Sequence, residues 1–109
     1  MSELTHTIQD KLDLITATIK ENTTPESIYL FGSCASNTSN SDSDIDIYVV
    51  VSDSVSDTIE LGAKIRLDLA KKSAFPIDLL VGKKSVFENR KSRLTLEKVI
   101  VSEGVKIYG

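Results

Sequence analysis

Hydrophobic positions along the chain fall into short runs separated by polar punctuation. Leu4, Ile8, Leu12, Ile15 and Ile19 recur at three- and four-residue spacing, the signature of one face of an amphipathic helix. Asn22-Thr-Thr-Pro25 ends that pattern. Ser27–Phe31 (SIYLF) is a short apolar run rich in β-formers and predicts a buried strand, and Ile45–Val51 (IDIYVVV) is the strongest strand signal in the sequence. Between them Ser33–Ser43 (SCASNTSNSDS) is too polar to pack a core and predicts a long loop. After turn-forming Ser52-Asp-Ser-Val-Ser-Asp, a helix is expected from about Asp57 to Lys72, with Asp53 and Asp57 as turn and cap acids. Its face Ile59, Ala63, Arg66, Leu67 and Ala70 is expected to point into the core, and Gly62 weakens it by about 1 kcal/mol relative to Ala. Ile77–Val81, introduced by Pro76, predicts a third strand. Leu94–Glu103 predicts a short helix closed by Gly104, and Val105–Tyr108 an edge strand or docked tail. The order α-β-(loop)-β-α-β-α-(β) describes an α/β chain of the α+β type: a small mixed sheet with helices on one face.

Length and composition narrow the class. With 109 residues the chain is expected to form a single domain spanning 1–109. It is 40% hydrophobic and 27% charged, which is ordinary for a soluble domain. No apolar run approaches a membrane span and no signal peptide is visible. Cys34 is the sole cysteine, which excludes an internal disulfide and a multi-Cys metal site. These features lead to the expectation of a cytoplasmic protein with no membrane association.

The net charge of −3 argues against direct nucleic-acid binding. It is unevenly spread. Residues 83–93 (KKSVFENRKSR) carry five basic residues and one acid, a stretch that suits a bound anion or acidic partner, or equally a solvated loop.

Three features carry chemistry. Gly32-Ser33 directly follows the first strand, where a Gly lets backbone approach a ligand and the Ser hydroxyl can donate to phosphate oxygens; it is also an ordinary strand-ending turn. Asp44 and Asp46 are two apart at the opening of the strongest strand, so they project together while Ile45 and Ile47 enter the core. Paired carboxylates repel unless a cation lies between them, and Mg²⁺ is commonly held by one or two carboxylates plus substrate phosphates. The plainer alternative is a solvent-facing strand opened by turn-forming acids. Asp78 sits inside an apolar run, where an unpaired buried charge costs several kcal/mol, so it stands at an exposed strand end or faces a metal. If its strand lies beside Ile45–Val51, the three acids can meet at one end of the sheet. His6 reads as a surface residue, Cys34 as a small loop residue, and Asp42 as a turn acid.

Leu30-Phe-Gly32-Ser33, ten residues, then Asp44-Ile45-Asp46-Ile47 resembles the signature of the polymerase-β-like nucleotidyltransferase superfamily, with Asp78 where the third carboxylate of that family stands. The resemblance covers about Ser27 to Val81, and the ending Ile100–Tyr108 looks like that of the minimal members. It implies the polymerase-β-like fold and an Mg²⁺-dependent transfer of a nucleoside monophosphate from an NTP to a hydroxyl. Asp44 and Asp46 would ligate two Mg²⁺ ions and Asp78 the one at the nucleophile, while Gly32 and Ser33 would hold the triphosphate. Stand-alone minimal members are commonly antitoxins paired with a helical HEPN-type toxin, and some transfer AMP from ATP to a tyrosine of that toxin. This chain departs from the family pattern at Ser36 and Asn37, where an Arg-Gly pair is frequent. Ser cannot neutralise phosphate as Arg does, which makes Lys83, Lys84 or Arg90 candidate substitutes. An enzyme is therefore the leading expectation. The alternative is a weak or inactive binding module that neutralises its partner by occlusion.

Overall fold

A computed structural model describes residues 8–31, 45–72, 77–90 and 104–109. The elements run α1 (Ile8–Asn22), β1 (Pro25–Phe31), β2 (Ile45–Val51), α2 (Thr58–Lys72), β3 (Ile77–Lys83), α3 (Lys84–Arg90) and β4 (Val105–Tyr108). Four strands form one mixed sheet in the order β3-β2-β1-β4. β1 pairs antiparallel with β2 and β4, whereas β3 lies parallel to β2. The antiparallel β1–β2 pair sets this sheet apart from the all-parallel βαβ alternation of a doubly wound sheet.

Strand alternation sorts the core into two layers. Ile45, Ile47, Val49 and Val51 of β2 face one side, where they pack with Ile28 and Leu30 of β1 and Leu79 of β3. Leu12, Ile15 and Ile19 of α1 and Ile65 and Leu69 of α2 cover that layer. The helical spacing of Leu12, Ile15 and Ile19 thus marks the buried face of α1, while Leu4 lies outside the described residues. On the opposite side Tyr48 and Val50 pack with Phe87 of α3, flanked by Tyr29 and Phe31. The Phe87 ring lies 5.4 Å from that of Tyr29 and 5.3 Å from that of Tyr48.

The structure corrects three expectations. α2 does not bury Ile59, Ala63, Arg66, Leu67 and Ala70: Ile59 is 81% exposed and Leu67 60%, and its buried residues are Gly62, Ile65 and Leu69. The helix carries two apolar stripes, and periodicity does not say which one meets the sheet. Gly62 lies on the buried side, where a Cβ would meet the Arg66 guanidinium at 3.3 Å and Val81 Cγ2 at 3.4 Å. Secondly, residues 84–90 form helix α3 where a solvated loop was one of the two expectations. Thirdly, the helices do not share one face, since α3 lies across the sheet from α1 and α2. Smaller differences are the start of β1 at Pro25 and the extension of β3 to Lys83. The helix expected over Leu94–Glu103 lies outside the described residues, and the edge strand Val105–Tyr108 forms as β4 against β1.

Both cap acids find partners. Asp57 accepts the Glu60 backbone N–H at 2.9 Å and opens α2. Asp53 reaches across to accept the backbone N–H of Ser85 at 2.9 Å, which fixes the start of α3. That bond, a second one from the Ser85 side chain, and the charges of Lys83 and Lys84 hold the Asp53 carboxyl below its ordinary value. A carboxyl whose folded pKa lies below its unfolded value of about 3.9 stabilises the fold above that pH and loses the contribution as pH falls through the folded pKa. Asp53→Ala is therefore expected to lower Tm at pH 7 and to differ least from wild type in strong acid; thermal melts across that range check it.

Between the two helices, Lys72 pairs with Glu21 and lies 3.7 Å from Asp68, while Asn22 Nδ2 donates to Asp68 at 3.2 Å. Arg66 donates to the Leu79 carbonyl at 3.0 Å, closing part of the open edge of β3. Among the described residues no helix is long and apolar enough to cross a membrane.

Candidate functional site

Two of the expected acids stand side by side. β2 and β3 are parallel with Asp46 opposite Asp78, and parallel strands place in-register Cα atoms about 4.8 Å apart. Because Ile45 and Ile47 are buried in the helix-covered layer, Asp46 lies on the other face, that of Tyr48 and Val50. In-register residues of parallel strands share a face, so Asp78 joins Asp46 there. Asp46 is half-buried and Asp78 exposed. The apolar run around Asp78 therefore does not bury it: Leu79 points into the core and Asp78 points out near the start of the strand.

β1 also ends at this point. Its last residue, Phe31, pairs with Asp46, so the chain leaves the sheet level with the two acids. Gly32, Ser33 and Asp44 adjoin these strand ends in sequence and lie outside the described residues, as do Cys34, Ser36, Asn37, Asp42 and His6.

The two carboxylates suit a hard divalent cation. Mg²⁺ takes oxygen ligands and is commonly bound by one or two carboxylates together with water and substrate phosphate. Two acids level with one another on adjacent strands, with at least one open to solvent, supply that minimum and leave positions for substrate oxygens. No group of three or more potential metal ligands occurs among the described residues, and the third expected acid, Asp44, is not among them. When bound, such an ion would neutralise phosphate charge and favour the deprotonated form of an attacking hydroxyl.

Two of the cations considered as replacements for the missing Arg are poorly placed. Lys83 is five residues beyond Asp78 on β3, roughly 16 Å away at the rise of a strand. Lys84 follows it and lies 3.8 Å from Glu26, which is near the start of β1 and so at the opposite end of the sheet from Phe31. Arg90, at the far end of α3, has a polar or ring partner of its own. Sequence reading missed the aromatic patch beside the acids, formed by Tyr29, Phe31, Tyr48 and Phe87. The available signal was the period-two placement of Tyr29, Phe31 and Tyr48 on one side of β1 and β2; Phe87 gave none, because its helix was not anticipated.

A family model described as polymerase beta, nucleotidyltransferase matches residues 13–109. No curated protein matches the chain significantly. Among solved structures, a toxin–antitoxin complex with AMP-PNP is 24% identical with a TM-score of 0.57, covering 89% of this chain and 72% of that one. A protein described as a nucleotidyltransferase from Sulfolobus solfataricus is 18% identical with a TM-score of 0.58, covering 87% and 74%. A mutant of the toxin–antitoxin pair MntA–HpeT, with two aspartates changed to glutamate, is 20% identical with a TM-score of 0.59, covering 89% and 71%. With the family model spanning nearly the whole sequence and the mixed sheet matching solved nucleotidyltransferase structures, this chain belongs to the polymerase β nucleotidyltransferase family.

Proposed function

We propose that this chain is an Mg²⁺-dependent protein adenylyltransferase that acts as an antitoxin, transferring AMP from ATP to a helical toxin of the HEPN type. The observation that carries this reading is the level pairing of Asp46 and Asp78 at the sheet end where β1 runs out toward Gly32-Ser33. Two toxin–antitoxin structures share the fold, one of them solved with AMP-PNP. The aspartates replaced in the other are two positions apart, the spacing of Asp44 and Asp46 here.

In this reading residues 1–109 are a single minimal domain working in the cytoplasm. Asp44, Asp46 and Asp78 hold two Mg²⁺ ions, and Gly32 and Ser33 bind the triphosphate. The acceptor hydroxyl attacks the α-phosphorus of ATP. A new O–P bond forms, the bond to the β-phosphate oxygen breaks, pyrophosphate leaves, and the hydroxyl proton passes to a nearby base. In this reading Asp78, exposed at the strand start, receives that proton or orients the hydroxyl.

A second reading, a binding module that silences its partner by occlusion, is favoured by one observation. Ser36 replaces the usual Arg, and Lys83 at the end of β3 and Lys84 at the start of α3 lie too far from Asp78 to substitute. One experiment separates the two. The chain is co-purified with its helical partner and supplied with Mg²⁺ and ATP labelled at the α-phosphate. Adenylyl transfer predicts metal-dependent label on the partner, absent with an Asp44→Asn/Asp46→Asn double variant. An unlabelled partner that is still bound and still neutralised would reject catalysis and establish occlusion.

A further inference from the structure

The nucleotide site of the proposed function is short of positive charge. Three carboxylates and a triphosphate carry more negative charge than two Mg²⁺ ions cancel, and Ser36 stands where an Arg is frequent. The order of the sheet indicates where a further cation would come from. The acids lie on β3 and β2, and β1 runs out toward Gly32-Ser33, which the proposed function assigns to the triphosphate. A triphosphate held between them leads across the sheet from β2 to β1, and the next strand is β4.

Lys106 is on that strand. It pairs with Tyr29, and its ammonium lies 5.8 Å from the centre of the Tyr29 ring. Tyr29 packs in the layer of Tyr48 and Phe87, so Lys106 is on the face of the sheet that carries Asp46 and Asp78. Lys106 is exposed, and among the described residues its ammonium meets that ring and no carboxylate. Phe31, opposite Asp46, is two residues along β1 from Tyr29, which puts its Cα roughly 8 Å from that of Lys106 by strand rise and spacing. The four-carbon stem of a lysine closes most of that distance. The cations of α1 and α2 belong to the opposite side of the sheet, and Lys84 lies against Glu26 at its far end.

We propose that Lys106 is the phosphate-contacting cation of this site, its ammonium engaging the β- and γ-phosphate oxygens of bound ATP. The inference rests on the nucleotide site of the proposed function and not on transfer to a partner. The Tyr29 ring holds the ammonium over the face without neutralising it, and leaves N–H donors available to phosphate oxygens. The plainer use of a lysine on an edge strand is to guard against edge-to-edge pairing, and that use requires no nucleotide.

The test is calorimetric titration of the purified chain with Mg·ATP and, separately, with Mg·pyrophosphate, which carries two linked phosphates without the nucleoside. Lys106→Met keeps an apolar stem at an exposed position and removes the charge. It should melt with wild type and bind both ligands about tenfold more weakly. Lys106→Gln should behave alike, and Lys106→Arg should bind within about threefold of wild type. Wild-type affinity should also fall more steeply with added KCl than that of Lys106→Met. Unchanged ATP affinity in both neutral variants would overturn the inference and leave Lys106 as an edge guard. So would a loss confined to ATP, which would put the lysine at the nucleoside end. A wild-type chain that binds no Mg·ATP overturns this inference and the nucleotide site of the proposed function together. Binding of Mg·ATP that depends on Lys106, with the partner left unlabelled, upholds the inference and rejects transfer alone.

Discussion

Asp46→Asn and Asp78→Asn are each expected to reduce nucleotidyl transfer by about a thousandfold or more, while the metal-free Asp78→Asn protein melts at or above the wild-type temperature. The first half follows from the proposed site. A cation positioned by these carboxylates contributes several kcal/mol of charge stabilisation in the transition state, and each 1.36 kcal/mol is a factor of ten in rate. The second half follows from register. Asp46 and Asp78 face each other across adjacent strands on one face of the sheet. Like charges at that separation repel, so neutralising the exposed Asp78 removes a cost that function imposes on the fold, whereas Asp46 makes a further interaction of its own whose loss offsets such a gain.

Added Mg²⁺ should raise the Tm of wild type, since a ligand that binds only the native state stabilises it by mass action, and should have little effect on either variant. The combination identifies the role of the acids. A large fall in the Tm of Asp78→Asn would make that acid structural, and undiminished transfer by either variant would remove its acid from the site.

Gly82→Ala is expected to destabilise the fold strongly. A Cβ at this position would overlap the Tyr48 hydroxyl and come within 2.9 Å of its Cζ. Tyr48 cannot move aside freely, because it is 4% exposed and packed against Phe87. Overpacking of this kind costs about 1–3 kcal/mol, which for a domain of this size lowers Tm by roughly 5–15 °C. Tyr48→Phe in the same background should recover part of the loss, because it removes the oxygen and leaves the tight contact with the ring carbon. A thermal double-mutant cycle measures that coupling, and independent, additive effects would contradict the contact. The consequence reaches the site, since the β2–β3 pairing that sets Gly82 against Val50 is the one that sets Asp78 against Asp46. Gly82→Ala should therefore also weaken the Mg²⁺-induced rise in Tm, a readout that general destabilisation would not remove.

Most of the architecture was legible because it rests on local rules. The apolar run Ile45–Val51, interrupted only by Asp46, required burial on both faces, and β2 has those bounds and buries every residue of it except Asp46. The three- and four-residue spacing of Leu12, Ile15 and Ile19 defined the face of α1 in the same way. Asp57 marked the start of α2 through hydrogen bonding within a single turn. The spaced Gly-Ser and Asp-x-Asp motif pointed to the family without any tertiary information, because the motif is a property of the sequence alone.

The tertiary structure decided what those rules leave open. Two apolar stripes on α2 satisfy the helical period equally, and packing against the sheet buries Ile65 and Leu69 while Ile59 and Leu67 stay exposed. The seven residues of α3 have too few local interactions to specify a helix on their own. An acid thirty-one positions earlier, Asp53, holds its first turn, and Phe87 anchors it to Tyr48 and Tyr29. Sequence placed two acids on one strand and a third on another. The parallel register that sets Asp46 beside Asp78 is a long-range pairing, fixed by which strands the core brings together. The same pairing carries Lys83 to the far end of the sheet, a separation invisible in a sequence where it stands only five residues from Asp78.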